Sequence, residues 1–433
     1  MARLQRIRHG GDSPEPSLDQ LGVCRLRASL EIHPILAYTP GMLELEADQN
    51  APGAVSLDMK GWLRSSSPPK WTVGSQTVHV ADLFSGCGGM SLGAAWAIHR
   101  LGYIPSIELT VDIDQDCLAV YERNLGDVSS WIRQDSMDRV FQRSIDASLS
   151  GPERYLRRSL SRIDVLLAGP PCQGHSDLNN RTRRTDPRNA LYLQAVRAIR
   201  VLEPRIAIIE NVPTVVHDKG GVVGHAHDVL ESLGYHISGT VIDASLVGVA
   251  QRRRRHFLLV TRQPHDGVLT SLQNLPKSRR LPTVRDAISD LQAVSSQDGR
   301  LPDRPSRMTP ENLARAQWLY SNDEYDLPDA LRPACHADGN HSYRSVYGRL
   351  KWNEPAQTIT TGFGSMGQGR YLHPSACRTI TPHEAARLQG FPDFFSFDGI
   401  QRRTSLQRLI GNAVPPPVAA TLVDILLRSN VLN

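Results

Sequence analysis

From residue 78 onward the chain alternates short, almost wholly apolar runs with helix-like stretches, and that alternation restricts the fold more than any other feature. VHVADLFS, SIELTVD (106 to 112), IDVLLAG (163 to 169) and RIAIIENV (205 to 212) are apolar enough to be buried on both faces. Between them, MSLGAAWAIHRLG, QDCLAVYERNL (115 to 125) and NALYLQAVRAIRVLEP (189 to 204) carry the period of helices. Strands alternating with helices of this length form a parallel sheet covered on both sides. YHISGTVIDA (235 to 244) and RRHFLLVTR (254 to 262) then read as a closing antiparallel pair.

Open sheets of this kind bind their ligands at the carboxyl ends of the strands, and four unusual segments fall there. The first is FSGCGGMSLG (84 to 93), a glycine-rich turn that lets a ligand approach the backbone and the helix N-terminus. Its G-x-G-G spacing departs from the dinucleotide G-x-G-x-x-G pattern. Asp112, the second feature, ends the next strand 26 residues past Gly86, near the distance at which an acid meets ribose hydroxyls. An adenosine-containing cofactor without a pyrophosphate satisfies both, and S-adenosylmethionine is the natural candidate; a plain tight turn with a surface aspartate satisfies them equally. The third segment, GPPCQG, sets Cys172 on a loop stiffened by Pro170 and Pro171 and followed by the basic RTRRTDPR (181 to 188), surroundings that favour a reactive thiolate. The fourth, Glu210-Asn211 of ENV, ends the strand beginning at Arg205, where the alternative to a catalytic carboxyl is a strand-end salt bridge.

Other stretches narrow the function by exclusion. Six cysteines, at 24, 87, 117, 172, 335 and 377, form no CxxC pair and no zinc-like spacing, so neither disulfides nor structural zinc are expected. Cys24, Cys117 and Cys377 read as small buried hydrophobes. The HAH triplet at 225 to 227, near His217 and Asp218, reads as a surface feature, which leaves no metal site. A 40% hydrophobic content and an N-terminus without an apolar stretch argue against a membrane role or a signal peptide, and point to the cytoplasm. The net charge of +5 is a weak argument for a polyanionic partner, but RRRR at 252 to 255 and the 181 to 188 segment concentrate positive charge at two places. GFGSMGQGR (362 to 370) matches the dinucleotide pattern letter for letter, yet it leads into RYLHP rather than a helix and reads as a flexible loop.

Four stretches organise the chain. Residues 1 to 74 are an extension of unknown role closing on the linker-like SSSPPK, and 75 to 262 form a first catalytic part. Residues 263 to 345, rich in Pro, Asp and Arg, form a smaller domain, and 346 to 433 return to the first. The return opens with the sheet-like YGRLKWNEPAQTITT. It continues with TPHEAARLQG (381 to 390), where Thr381, Pro382 and Glu384 make a full helix start, and ends in PPPVAATLVDILL (415 to 427), an amphipathic helix pattern.

In order along the chain, FSGCGG, the DID strand end, GPPCQG, ENV, QRRRRHF, HEAARLQGFPD and GNAVPP resemble the motifs of the DNA cytosine-C5 methyltransferases, from about residue 78 to 427. The resemblance implies an α/β fold: a Rossmann-like, S-adenosylmethionine-dependent methyltransferase sheet with a second, smaller target-recognition domain at 263 to 345. It implies that Phe84, Ser85, Gly86, Gly88, Gly89, Asp112, Ile113, Asp135, Ser136, Pro170 and Asn412 hold S-adenosylmethionine, which leaves as S-adenosylhomocysteine. Cys172 becomes the nucleophile and Glu210 the acid partner of the base. Arg253 and Arg255 orient the pyrimidine, Pro171 and Asn211 belong to its pocket, and Gln173, Ser176, Arg181, Arg183, Arg184 and Arg188 meet the DNA. Two positions depart from the family: His175 replaces a phenylalanine, and Arg254 makes the mixed-charge QRxRR segment fully basic.

The partners implied are double-stranded DNA, bound by a monomer, and a cognate restriction or defence system in a prokaryotic cytoplasm, with the enzyme on the nucleoid while bound. Two alternatives stay open. A branch of the family methylates tRNA with the same cysteine and ENV elements, but lacks the roughly 80 residues available here for a separate recognition domain. A non-catalytic DNA-binding homologue is opposed by the intact Cys172, Glu210 and Arg255.

Overall fold

The computed structural model describes residues 58–171, 191–217, 221–264, 266–273, 275, 280–291, 300–334 and 346–429. In chain order the strands are β1 (Thr77–Leu83), β2 (Ile104–Asp112), β3 (Ser129–Gln134), β4 (Val165–Ala168), β5 (Ile206–Asn211), β6 (His236–Asp243), β7 (Gln251–Arg252), β8 (Arg254–Thr261) and β9 (Ala356–Gln357). Seven of them form one sheet in the order β3-β2-β1-β4-β5-β8-β6. The first five are mutually parallel, and β8 runs antiparallel to both β5 and β6, as the closing pair predicted.

Every residue of β4 and β5 is buried, because helices cover both faces and the pleat feeds two cores. Val165, Leu167, Ile206 and Ile208 point into one cluster, shared with the helices Gly89–Arg100 and Pro416–Arg428. Leu166, Ala168, Ala207 and Ile209 point into the other, shared with the helices Leu191–Leu202 and Val222–Ser232. The C-terminal helix departs from its amphipathic reading, since every residue from Pro416 to Leu427 is buried. It lies so close to the helix Gly89–Arg100 that a Cβ on Gly93 would fall on the Pro416 carbonyl. Together with the preceding helix it makes an apolar stretch, Arg403–Arg428, long enough to cross a membrane by composition, but 89% of its most apolar window is buried inside the protein. The helix Pro382–Leu388 begins as expected, with a reciprocal capping box between Thr381 and Glu384 and proline in its first turn. The sheet-like return adds the two residues of β9, paired with β7, and an isolated bridge from Arg349 to Leu372.

The stretch before β1 is strapped onto this body. Trp62 stacks on Trp96 with ring centroids 3.8 Å apart and donates its Nε1–H to the Gly390 carbonyl at 2.9 Å. Through SSSPPK, Phe394 N–H donates to the Ser65 carbonyl, and Trp71 beyond it is buried. On the same side of the sheet, Val284, Ala287 and Ile288 join the same larger core. A separate small cluster gathers around the helix Pro310–Ser321: Ala316, Leu319, Leu327, Val346, Tyr347, Met366 and Leu372. Arg349 is buried at its edge between the rings of Tyr320 and Tyr325, donating to the carbonyls of Leu319, Glu324 and Pro374.

Candidate active site

Strand register brings the sequence-predicted residues to one edge. Leu83 lies opposite Val111 and Ala168, Ala168 opposite Ile209, and Asp112 opposite Gln134. Asp135, Asp112, Phe84, Gly169 and Glu210 therefore follow one another across the carboxyl ends of β3, β2, β1, β4 and β5. The Asp112 carboxylate ties the glycine-rich turn to β2, accepting from Gly86 N–H at 2.8 Å and Asp114 N–H at 2.9 Å. Burial still holds this carboxyl above the usual range, against the pull of those two bonds.

The turn is tightly wound. Phe84 sits at φ 54°, a left-handed conformation costing a non-glycine residue about 1–3 kcal/mol. Gly88 follows at φ 93°, where a Cβ would also strike the side chains of Leu125 and Tyr121. Above Gly86 there is open space. Ser85 Oγ is buried without a hydrogen-bond partner, and Ile113, a large apolar residue, is 70% exposed at the end of β2. Asp135 pairs with Arg133 at 3.1 Å and accepts from Ser136 N–H, and its own N–H donates to the Asp112 carbonyl. Asn412 is exposed at the last position of the helix Arg403–Asn412. An unpartnered hydroxyl, an open glycine, an exposed apolar residue and two carboxylates form a cradle with the polarity and shape for a nucleoside-bearing ligand.

At the other end of the row, Glu210 Oε1 accepts from Arg255 Nε at 3.0 Å, with side chains 11% and 17% exposed. Burial raises the Glu210 carboxyl and the charges of Arg255 and Arg253 oppose it; burial prevails and holds the carboxyl above the ordinary carboxylate range. The carboxyl is thus both the salt-bridged strand end and the catalytic candidate. A Cβ on Gly169 would come 4.0 Å from Glu210 Oε2, so the backbone leading to GPP passes beside it. Asn211 joins the two motifs, its Nδ2 donating to the Pro170 carbonyl at 3.4 Å.

The arginine run divides by alternation along an extended backbone. Arg252 and Arg254 are exposed, while Arg253 and Arg255 turn inward. Arg253 donates to the carbonyls of Ile359 at 3.0 Å and Gly411 at 3.2 Å, bracing the returning chain. Beside it, Gln251 donates to the Leu388 carbonyl and to Gln389 Oε1 and accepts from Ile359 N–H, and Gln389 donates to the Ile410 carbonyl. Sequence reasoning missed this buried amide pair; its signal was two glutamines, one opening QRRRR and one closing the capped helix.

Cys172, Gln173, Ser176, Arg181, Arg183, Arg184 and Arg188, with His175, lie outside the described residues; Pro170 is buried and Pro171 half-buried just before them. Cys117 is buried as expected, but Cys377, also expected to be buried, is exposed on the turn after His373. Among the described residues no group of three or more acidic, histidine or cysteine side chains is arranged to hold a metal.

The family described as C-5 cytosine-specific DNA methylase matches residues 78–428. Type II methyltransferase M1.BsuMI of Bacillus subtilis (strain 168) is 41% identical over 363 residues, covering 84% of this chain and 83% of that protein. Type II methylase M.HgiDII of Herpetosiphon aurantiacus is 33% identical over 344 residues, covering 78% and 91%. A solved DNA modification methyltransferase encoded within a prophage of E. coli superposes with a TM-score of 0.56 at 27% identity, over 82% of this chain and 99% of that one.

Proposed function

The chain belongs to the C-5 cytosine-specific DNA methylase family, and from that premise we propose how its residues divide the work on a flipped-out cytosine. It is a DNA (cytosine-5)-methyltransferase of restriction-modification type. The observation that carries the assignment of roles is the Glu210–Arg255 pair at 3.0 Å, set beside the backbone that leads into Cys172.

Cytosine C5 is a poor nucleophile while the ring is aromatic. The Cys172 thiolate adds to C6, which breaks the aromaticity and moves electron density to C5. Glu210, whose acid form burial favours over that of an exposed carboxyl, donates a proton at N3 and hydrogen-bonds the exocyclic amino edge, stabilising the enamine. Arg255 keeps the Glu210 carboxyl oriented and meets the pyrimidine, while Arg253 holds the surrounding backbone. Once C5 carries the methyl group, loss of the C5 proton to a base expels the thiolate and restores the ring. The base reaches this pocket by leaving the stack, at a cost of a few kcal/mol, which phosphate contacts from Arg181, Arg183, Arg184 and Arg188 offset in part.

S-adenosylmethionine would sit in the cradle between β1 and β2 and would supply there an electrophilic sulfonium methyl. Asp112 would hold the ribose hydroxyls, Asp135 the adenine amino group and Ile113 its face. Phe84 and the turn glycines would line the donor, with Ser85 Oγ finding the acceptor it lacks, Pro170 at the far wall and Asn412 closing the pocket. Residues 263 to 345 would supply target recognition. The enzyme would act as a monomer in a prokaryotic cytoplasm, protecting DNA from a cognate nuclease or serving a defence system.

Bisulfite sequencing of DNA from cells expressing the protein, beside a Cys172→Ala control, tests this reading. Methylated cytosines in one recurring sequence, absent with the variant, are expected. Unchanged methylation in the variant would remove Cys172 from the mechanism, and methyl transfer competed by tRNA but not by duplex DNA would redirect the substrate to RNA.

A further inference from the structure

Asp82 lies in β1, two residues before the left-handed Phe84, and is completely buried. Its Oδ2 accepts from Ser91 Oγ at 2.6 Å, and Ser91 Oγ in turn accepts from Tyr121 OH at 2.7 Å. Its Oδ1 is buried with no hydrogen-bond partner. A carboxylate left half-satisfied in a dry interior is costly unless a positive charge compensates it. Among the described residues, the groups set against it carry no positive charge: Cys87 in the turn, Ser91 in the helix Gly89–Arg100, Thr110 and Asp112 on β2, Leu167 opposite on β4, and Tyr121 in the helix Gln115–Leu125. Burial, with Asp112's charge adding to it against the Ser91 bonds, pushes this carboxyl up to about 7.

The compensating charge has an obvious place to come from. The helix Gly89–Arg100 begins at Gly88, which offers no side-chain cap. The buried carboxylate bonded to Ser91 is therefore the negative partner of that helix start, directly beneath the cofactor turn. The methyl donor and the spent product differ by one unit of charge, a sulfonium against a neutral thioether. We propose that Asp82 is a positioning residue that distinguishes donor from product by charge, its buried carboxylate acting across the glycine-rich turn to hold the sulfonium form and release the thioether. This rests on the reading that S-adenosylmethionine occupies the turn.

The test is isothermal titration calorimetry of S-adenosylmethionine and S-adenosylhomocysteine against the full-length protein between pH 5.5 and 8.5, for wild type and Asp82→Asn. Asparagine keeps the acceptor for Ser91 but not the charge. The ratio of donor to product affinity should rise about threefold or more with pH in the wild type, relative to Asp82→Asn, as the carboxyl ionises. A second variant, Ser91→Ala, removes the bond that favours the charged form and should move the midpoint of the rise to higher pH. Identical pH profiles in wild type and Asp82→Asn, or a Ser91→Ala midpoint that stays put or falls, would overturn the proposal. If both ligands bind with a flat ratio, this inference alone fails; if neither binds the wild-type protein, the cofactor reading fails and takes the inference with it.

Discussion

Arg253→Ala should separate the returning chain from the sheet, and the geometry sets how much that costs. Arg253 is 3% exposed and donates to the carbonyls of Ile359 and Gly411 at 3.0 and 3.2 Å. A hydrogen bond from a charged donor is worth about 1.5–3 kcal/mol. Losing two, with both carbonyls left dry and a cavity the size of the side chain, should therefore cost about 3–5 kcal/mol. In a protein of this size that corresponds to a fall in Tm of roughly 3–6 °C by differential scanning fluorimetry. Gly411 precedes Asn412 at the mouth of the cofactor cradle, so part of the loss should appear as weaker donor binding. If about 1.4 kcal/mol falls there, the KM for S-adenosylmethionine rises about tenfold. Arg253→Lys, whose single ammonium cannot bridge two carbonyls in the fork geometry, should lie between the two. A Tm within about 2 °C of wild type for Arg253→Ala would mean that the carbonyls find other donors, and the bracing argument would be wrong.

Two other buried carboxyls give further outcomes. Glu210→Gln should lower kcat by about 10²–10⁴. Since burial raises the wild-type carboxyl, its donating acid form persists above the ordinary carboxylate range and is lost as pH climbs through the raised value; an alkaline limb in the kcat profile that survives in Glu210→Gln would refute the assignment. Arg197 and Glu153, 1% and 0% exposed and bonded at 2.6 and 3.0 Å, form a buried pair under the sheet. Arg197→Met alone should destabilise by about 3–5 kcal/mol by leaving Glu153 unpaired, whereas Arg197→Met with Glu153→Leu should recover most of it in urea melts.

Much of this was legible in the linear chain. Buried parallel strands must be apolar on both faces, so β4 and β5 announced themselves as unbroken runs, and the helix at Gln115–Leu125 fell within its predicted bounds. Thr381, Pro382 and Glu384 carried their capping chemistry locally, and the structure shows the same box. The turn, Asp112 and Glu210 were legible because the carboxyl ends of parallel strands converge whatever the loops between them do. Less legible were elements whose burial comes from afar. β3, with no fully buried residue, lacks the apolar run that marks a strand. The C-terminal helix reads as amphipathic until its outer face proves to be covered as well. Trp62, before the first strand, owes its place to Trp96 and Gly390.

The order of motifs, the alternating period and the local caps determined by themselves the class of fold, the family and the edge on which the chemistry sits, because each depends on residues close in sequence or on a topology with few solutions. Tertiary structure alone decided what each polar residue does there. Arg253 and Arg255, two residues apart, point to different partners: one braces backbone carbonyls and the other holds a carboxyl. Asp82, letter for letter one more residue of an apolar strand, becomes a buried carboxyl with a raised pKa only when Ser91, Tyr121 and Asp112 close around it. Hydrogen bonds and desolvation act over a few ångströms in space, and partners 30 or 158 positions apart along the chain come within that range only once the sheet and its helices have folded.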